Sequence, residues 1–219
     1  MAYLFTLFIN KQFQNIASCQ LLTVFANNFM MPVLPVYLKM QGYSEGQIGL
    51  VIGIAALGAL ISRPLAGYSV DTLGSRRVIL FGHTLLGICV AAYLWVVNFW
   101  LMLLLRLWHG IAISFYSTAS VTFASSVETP KNASGAIALY SVFTMMGMGM
   151  ATSSSPLVYN SAGFGSLIIL SLVFLIIAAN IMGWRANSIL PCSDVQRVNF
   201  MSVARSRHVL APTVCLFAS

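Results

Sequence analysis

The sequence predicts an all-α membrane protein with six transmembrane helices, arranged as a three-plus-three inverted repeat. Composition is the first observation: 59% of the 219 residues are hydrophobic and 7% are charged, and the mean hydropathy is +0.88. A soluble domain normally carries about 25% charged residues, so this chain has too few to cover a water-facing surface. The second observation is the presence of six apolar stretches, each long enough to cross a bilayer.

Each predicted span is a run of about 20 mostly apolar residues, the length that crosses hydrocarbon about 30 Å thick. The links are short, so neighbouring spans are expected to be antiparallel. Residues 1–15 lack the basic start and small-residue cleavage site of a signal peptide, and are predicted to be a cytoplasmic or interfacial segment. The bundle of residues 16–184 comprises spans 1 to 6, at residues 16–38, 47–70, 78–97, 99–127, 135–159 and 164–184.

The unequal distribution of lysine and arginine between the links predicts the orientation of the chain. With the amino terminus in the cytoplasm, the outer links contain only Lys39, while Arg63 and Arg106 fall within the membrane. The predicted location is a cell (inner) membrane, crossed several times. The remaining basic residues are then on the cytoplasmic side: Lys11, Arg76, Arg77, Lys131, Arg185, Arg197, Arg205 and Arg207.

The chain becomes polar after Trp184, and residues 185–207 are predicted to form a cytoplasmic linker. Residues 208–219 are apolar again but too few to cross a bilayer. They are expected to be the truncated start of a seventh helix, which would make the sequence a fragment of a longer protein.

The residue pattern indicates no cofactor, metal, nucleic acid or enzymatic chemistry. The four cysteines, Cys19, Cys89, Cys192 and Cys215, show neither metal-ligand spacing nor a disulfide framework. The formal net charge of +7 comes from basic residues that are isolated or lie near span ends, so membrane orientation explains it better than nucleic acid does. Serine, histidine and acidic residues show no spacing typical of a nucleophilic site.

Spans 2 and 5 share a pattern of small residues followed by a proline. Small residues at intervals of four lie on one helix face and let two backbones approach closely. Span 2 runs inward and span 5 outward, so the shared pattern favours an inverted repeat. The alternative is coincidence, since glycine and proline are common in membrane helices. The residues are Gly49, Gly53, Gly58 and Pro64 in span 2, and Gly147, Ala151, Ser155 and Pro156 in span 5.

The most specific motif follows span 2 and reads Gly67-Tyr-Ser-Val-Asp71-Thr-Leu-Gly74-Ser-Arg76-Arg77. It resembles the signature of the major facilitator superfamily, Gly-x-Leu-Ala-Asp-Arg-x-Gly-Arg with a further basic residue, at the position where that family carries it. Positions 69, 70, 72 and 75 depart from the signature. The resemblance implies half of a 12-helix transporter, with a motif that latches the two halves during alternating access. The alternative is a topological anchor, with the arginines holding the link inside.

Span 4 carries a charged residue, Arg106, several residues below the predicted outer surface. A charge at mid-helix costs about 2.5–3.5 kcal/mol on insertion scales, so Arg106 is expected to face a wet cavity or a partner. Arg106 with Gly110 is similar to the family's Arg-x-x-x-Gly pattern, which implies substrate binding or proton coupling. Snorkelling toward lipid headgroups is the alternative, and His109 is expected either to share the cavity or to pack.

The spans contain no Asp or Glu if Asp71 and Glu128 are edge residues, which favours a neutral or anionic solute. Arg106 is expected to hold it, helped by Asn27 or Asn28. The resemblance extends to Pro32-Val-Leu-Pro35 and Arg63-Pro-Leu-Ala-Gly67, which look like features of efflux permeases. The antiporter signature of span 5 is incomplete, because Ser155-Pro156 replaces its Gly-Pro pair.

The resemblance implies secondary active transport of a small solute by alternating access. Spans 1 and 4 would line the cavity, spans 2 and 5 would pack against the missing carboxy-terminal six-helix half, and spans 3 and 6 would face lipid. The expected partners are the solute, the bilayer and that missing half. The alternative is a non-transporting membrane remnant, scaffold or regulatory subunit.

Overall fold

The computed structural model describes residue 7 and residues 9–96, 98–129 and 132–185. The described residues are helical, with turns between the helices and no strand. The predicted linker after residue 185 and the predicted start of a seventh helix lie outside them. The helices are α1 (Lys11–Met30), α2 (Leu34–Met40), α3 (Glu45–Leu73), α4 (Ser75–Ala92), α5 (Phe99–Ser126) and α6 (Ala133–Arg185).

Polar side chains and one glycine determine where the helices begin and end. Asn10 and Asn98 precede α1 and α5, and each side chain accepts a hydrogen bond from a free backbone N–H of the first turn, both 2.9 Å long. Ser44 and Gln47 form a reciprocal capping box at the start of α3. Gly74 separates α3 from α4. Its φ of 83° is a backbone conformation that a residue with a Cβ rarely adopts.

Predicted span 1 is not one continuous helix. The chain turns at residues 31–33, between α1 and α2. Pro32 and Pro35 explain the break, because proline has no N–H for the helical ladder and its ring clashes with the preceding turn. Pro35 instead lies in the first turn of α2, where a missing N–H costs nothing. Predicted spans 2, 3 and 4 correspond to α3, α4 and α5.

Within the described residues, five helical stretches are long and apolar enough to cross a membrane: α1 with α2, and each of α3, α4, α5 and α6. The apolar part of α6 has 51 residues, so it would extend roughly 77 Å at 1.5 Å per residue, more than twice the thickness of the hydrocarbon core. Gly163 interrupts it with φ 77° and ψ 178°. The predicted link at 160–163 is therefore reduced to this one non-helical residue.

The two parts of α6 on either side of Gly163 run in opposite directions relative to α1 and α2. Later residues of α1 and α2 contact later residues in the first part of α6, so these segments are parallel. Later residues of α1 and α2 contact earlier residues in the second part of α6, so that part is antiparallel. The contacts are Gln20–Thr144 and Met40–Tyr159 for the first part, and Phe25–Phe174 and Tyr37–Phe164 for the second.

Glycines allow α5 to pack closely against two neighbours. A Cβ at Gly110 would collide with the backbone carbonyl of Ala55 on α3, and a Cβ at Gly82 on α4 would lie 2.8 Å from the backbone nitrogen of Tyr116. Backbone contact of this kind is typical of membrane helices, where close packing rather than hydrophobic burial drives association. Among the candidate membrane spans, α3 is the least covered by the rest of the described chain.

Candidate functional site

Side chains of α1, α4 and α5, and of the turns that follow α1 and α4, form two largely buried polar clusters. The clusters lie at different levels of the bundle. Because α1 runs antiparallel to α5, earlier residues of α1 contact later residues of α5. The Arg106 cluster consists of Asn27, Met31, Tyr93, Arg106 and His109, and the His83 cluster consists of Cys19, Thr23, His83 and Tyr116.

Arg106 is buried, with 4% of its surface exposed. Its Nε donates to the backbone carbonyl of Val51 at 3.1 Å, and its Nη1 donates to the sulfur of Met31 at 3.3 Å. The guanidinium also interacts with the Tyr93 hydroxyl. The charge therefore faces α1, α3 and α4 rather than lipid, and it ties α5 to these helices.

His109 lies three residues after Arg106 on the same face of α5 and is fully buried. Its Nε2 is 2.8 Å from Asn27 Oδ1, and its Nδ1 is 3.4 Å from the Tyr93 hydroxyl. Arg106, His109 and Asn27 thus belong to one cluster, and their role in binding a solute stays a prediction. Asn28 bonds instead to the carbonyl of Val24 on its own helix, at 2.9 Å.

The His83 cluster connects α1, α4 and α5. His83 Nε2 is 2.8 Å from Thr23 Oγ1 and 3.8 Å from Cys19 Sγ, both on α1. The ring of Tyr116 on α5 meets the imidazole edge-on, with centroids 4.7 Å apart. The sequence pattern around His83 predicts no role for it.

A chain of neutral hydrogen bonds extends the His83 cluster toward α6. The Tyr116 hydroxyl donates to Gln20 Oε1 at 2.6 Å, and Gln20 Nε2 donates to Thr144 Oγ1 at 2.9 Å. Ser120 and Tyr140 share a further hydrogen bond of 2.7 Å. Together these contacts join three helices through buried polar groups without using a fixed charge.

The motif between α3 and α4 is partly engaged within this bundle. Arg76 Nη2 donates to the carbonyl of Gly183, near the end of α6, at 2.7 Å. Asp71 and Arg77 are exposed, and Asp71 forms no ion pair or hydrogen bond with any residue in the described ranges. Gly67 is half-buried, on the same face of α3 as Asp71. The latch role of this motif stays a prediction.

The small residues of predicted spans 2 and 5 differ in their surroundings. A Cβ at Gly49 or Gly53 would meet nothing within 4 Å, whereas one at Gly147 would lie 2.6 Å from the backbone oxygen of Leu21. Ala151 and Ser155 are fully buried, and Pro156 is exposed. Span 5 thus packs on α1 through its small residues. Packing of Gly49 and Gly53 on a missing half stays a prediction.

Within the described ranges, no three His, Cys, Asp or Glu side chains are grouped so that they could hold a metal ion. The carboxylates in those ranges lie at helix ends or in links: Glu45, Asp71 and Glu128. The buried polar groups are therefore neutral or cationic.

Comparison with known proteins identifies the family. The sequence profile of the Major Facilitator Superfamily matches residues 16–200, well over half of the chain. The chain belongs to this superfamily. Its members are transporters rather than enzymes, and the match agrees with the multi-pass membrane character of the helices.

Individual relatives are distant. The chain is 30% identical over 146 residues to the uncharacterized MFS-type transporter YhhS of Escherichia coli, covering 63% of the chain and 36% of YhhS. It is 26% identical over 112 residues to the multi-drug resistance efflux pump PmrA of Streptococcus pneumoniae, covering 49% and 28% respectively. With the quinolone resistance protein NorA of Staphylococcus aureus, identity is 32% over 83 residues, covering 38% and 21%.

Among solved structures, the chain is similar to the human organic anion transporter MFSD10. The TM-score is 0.64 at 19% identity, and the match covers 78% of this chain and 46% of that one. This similarity supports the superfamily fold. The chain spans about a third of the length of the curated relatives YhhS and PmrA, and less than half of MFSD10.

Proposed function

We propose that this protein carries out secondary active transport of a small organic solute by alternating access, as an efflux-type permease. Membership of the superfamily supports transport, and the names of PmrA and NorA support efflux. The described part of the chain supplies one side of a solute site, and a carboxy-terminal half supplies the other.

The solute is neutral or anionic, and Arg106 is the residue that binds it. The supporting observation is that Arg106 is the buried cation of a polar cluster, while the carboxylates in the described ranges are confined to helix ends and links. A guanidinium presents five N–H donors in a planar fork that suits carboxylate and phosphate groups. MFSD10, a structural neighbour, is itself described as an organic anion transporter.

Six crossings, with the amino terminus in the cytoplasm, complete the proposal. The length of α6, its break at Gly163 and the opposite directions of its two parts support two crossings in place of one. The proposed order places Arg76 and Arg77 on the cytoplasmic side, in agreement with the positive-inside rule.

Uptake into proteoliposomes by the full-length protein, measured against a panel of anionic, neutral and cationic solutes, tests the function. Arg106→Lys retains the charge but removes the planar fork, so we expect at least a tenfold lower uptake of an anionic substrate. Arg63→Lys is the matched control, because Arg63 is an exposed side chain on α3 and should tolerate the change. Normal uptake by Arg106→Lys would exclude bidentate recognition by Arg106. If no member of the panel is transported, the non-transporting alternative is favoured.

A further inference from the structure

His83 has a hydrogen-bonding oxygen in position at each of its ring nitrogens. Nδ1 is 3.0 Å from the carbonyl oxygen of Ile79, one turn earlier on α4. Nε2 is 2.8 Å from the hydroxyl oxygen of Thr23 on α1. The Cys19 thiol lies farther away, 3.8 Å from Nε2, and the imidazole is buried, so the two oxygen contacts are the main determinants of which protonation states the protein can hold.

The same arrangement is compatible with both the neutral and the protonated imidazole of His83. The Ile79 carbonyl can only accept, so Nδ1 carries a hydrogen. The Thr23 hydroxyl has one hydrogen and two neighbouring acceptors, His83 Nε2 at 2.8 Å and the Cys19 carbonyl at 2.7 Å. When that hydrogen points to Nε2, the ring is neutral. When it points to the Cys19 carbonyl, the contact between Oγ1 and Nε2 needs a hydrogen on Nε2, and the ring is an imidazolium.

His109 differs, because its partners suit the neutral ring. Asn27 Oδ1 can only accept, so Nε2 of His109 carries a hydrogen. Nδ1 faces the Tyr93 hydroxyl, which can donate to it. Arg106, one turn away on the same helix face, adds a positive charge that opposes a second one nearby. The two buried histidines are therefore not equivalent.

The surroundings of His83 carry no fixed charge. From α1 the thiol of Cys19 faces the ring, and from α5 the phenol of Tyr116 does. In the part of the chain that the structure describes, no Asp, Glu, Lys or Arg forms an ion pair or hydrogen bond with the imidazole. A buried charge is costly unless it is hydrogen-bonded, and this site offers an acceptor to both N–H groups of an imidazolium.

We propose that His83 is a proton-binding site of the bundle. One proton from water adds to Nε2 as the Thr23 hydroxyl turns its hydrogen from Nε2 to the Cys19 carbonyl, and no heavy atom has to move. Hydrogen bonds from charged donors are about twice as strong as neutral ones, so the bound proton tightens α1 against α4. The role of His83 as the site of a coupling ion rests on the transport function proposed above. Its role as a proton-binding site does not rest on that function.

Nitrogen-15 NMR of the histidine-labelled full chain in lipid nanodiscs tests the binding directly, because the chemical shifts distinguish neutral rings from protonated ones. The signals of His83, His109 and His208 are assigned by their loss in single His→Gln variants. Between pH 8 and pH 5 we expect His83 to change in one step from a neutral ring with hydrogen on Nδ1 to an imidazolium, while His109 stays neutral. A His83 ring that remains neutral throughout overturns the proposal.

Thr23→Val tests the mechanism, since it removes the hydroxyl but keeps the shape of the side chain. The imidazolium loses a charged hydrogen bond, so half-protonation of His83 should need a proton concentration about tenfold higher. Thr84→Val is the matched control on α4, where the hydroxyl bonds only to the carbonyl of Leu80. Its titration should equal that of the unsubstituted chain. An unchanged titration in Thr23→Val contradicts the proposed role of the hydroxyl.

Transport by the full-length protein tests the coupling separately. In His83→Gln we expect the rate of uptake to lose its dependence on an imposed pH gradient, while uptake without a gradient remains. A gradient response equal to that of the unsubstituted protein overturns the coupling role. If the unsubstituted protein transports nothing, the proposed function fails, and the NMR titration still decides whether His83 binds a proton.

Discussion

Gly110 determines how closely α5 can approach α3, because a side chain there would collide with the Ala55 backbone. We expect Gly110→Ala to lower the free energy of unfolding by about 1–3 kcal/mol, as overpacking of a close contact does. Thermal unfolding of the detergent-purified protein measures the change. Gly87→Ala is the control, since its Cβ would meet nothing within 4 Å. Equal midpoints for the two variants would show that the helices are not in contact at Gly110.

At the level of single residues, the sequence identifies part of the polar site. Arg106 is recognisable because a charge in an apolar span needs a partner, and His109 and Asn27 do lie beside it. His83 is not recognisable in this way, because its partners on α1 are 60 or more residues away in the chain. A weaker signal is present: polar residues recur at intervals of three, four or seven on one face of α1 and of α5. They are Gln20, Thr23 and Asn27 on α1, and Arg106, His109, Tyr116 and Ser120 on α5.

At the level of helices, Arg76 joins the start of α4 to the end of α6. Its guanidinium donates to a carbonyl in the last turn of α6, where the helix dipole favours a positive charge. We expect Arg76→Gln to lower the free energy of unfolding by about 1.5 kcal/mol, the low end for a hydrogen bond to a charged group, because the side chain is only half-buried. Arg77→Gln, at an exposed neighbouring position, is the control. Identical thermal midpoints for the two variants would contradict the contact.

Helix positions follow well from apolar length, whereas helix breaks depend on single residues. Predicted spans 2, 3 and 4 coincide with α3, α4 and α5 because long apolar runs between polar caps have few alternatives in a membrane. The break after α1 comes from two prolines, which a count of apolar residues does not detect. Gly163 ends one part of α6 and begins the next with a single change of φ, so the predicted four-residue link proved too long.

For the whole molecule, the number of crossings determines which links share a compartment. Single cysteines replacing Arg76, Asn98 and Asn160, in a background without the four native cysteines, can be labelled with a membrane-impermeant maleimide. With six crossings we expect the cysteines at positions 98 and 160 to be labelled from the same side, and the cysteine at position 76 from the other. Labelling of positions 76 and 98 from one compartment would contradict the topology and, with it, the transport function.

The helical membrane architecture is more predictable than the proposed solute site. Composition and superfamily membership restrict the fold strongly, because a helix satisfies its own backbone hydrogen bonds in hydrocarbon. Under the proposed function, the solute site also needs groups from a carboxy-terminal half, which the pattern of these residues does not reveal. The open surface at Gly49 and Gly53 illustrates the limit, since nothing in the described residues covers it.

Under the proposed function, in which Arg106 binds an anionic solute for export, the buried guanidinium has an electrical consequence. A solute-free site retains one positive charge in a medium of low dielectric constant, and an anionic solute neutralises it. A full unit of charge moved across a membrane is worth about 2.3 kcal/mol per 100 mV, so voltage acts on the vacant carrier and leaves the occupied one almost unaffected. An inside-negative potential then draws the vacant site back to the cytosol, where an exporter must load. Uptake rates recorded under potassium diffusion potentials of opposite sign would reveal this asymmetry.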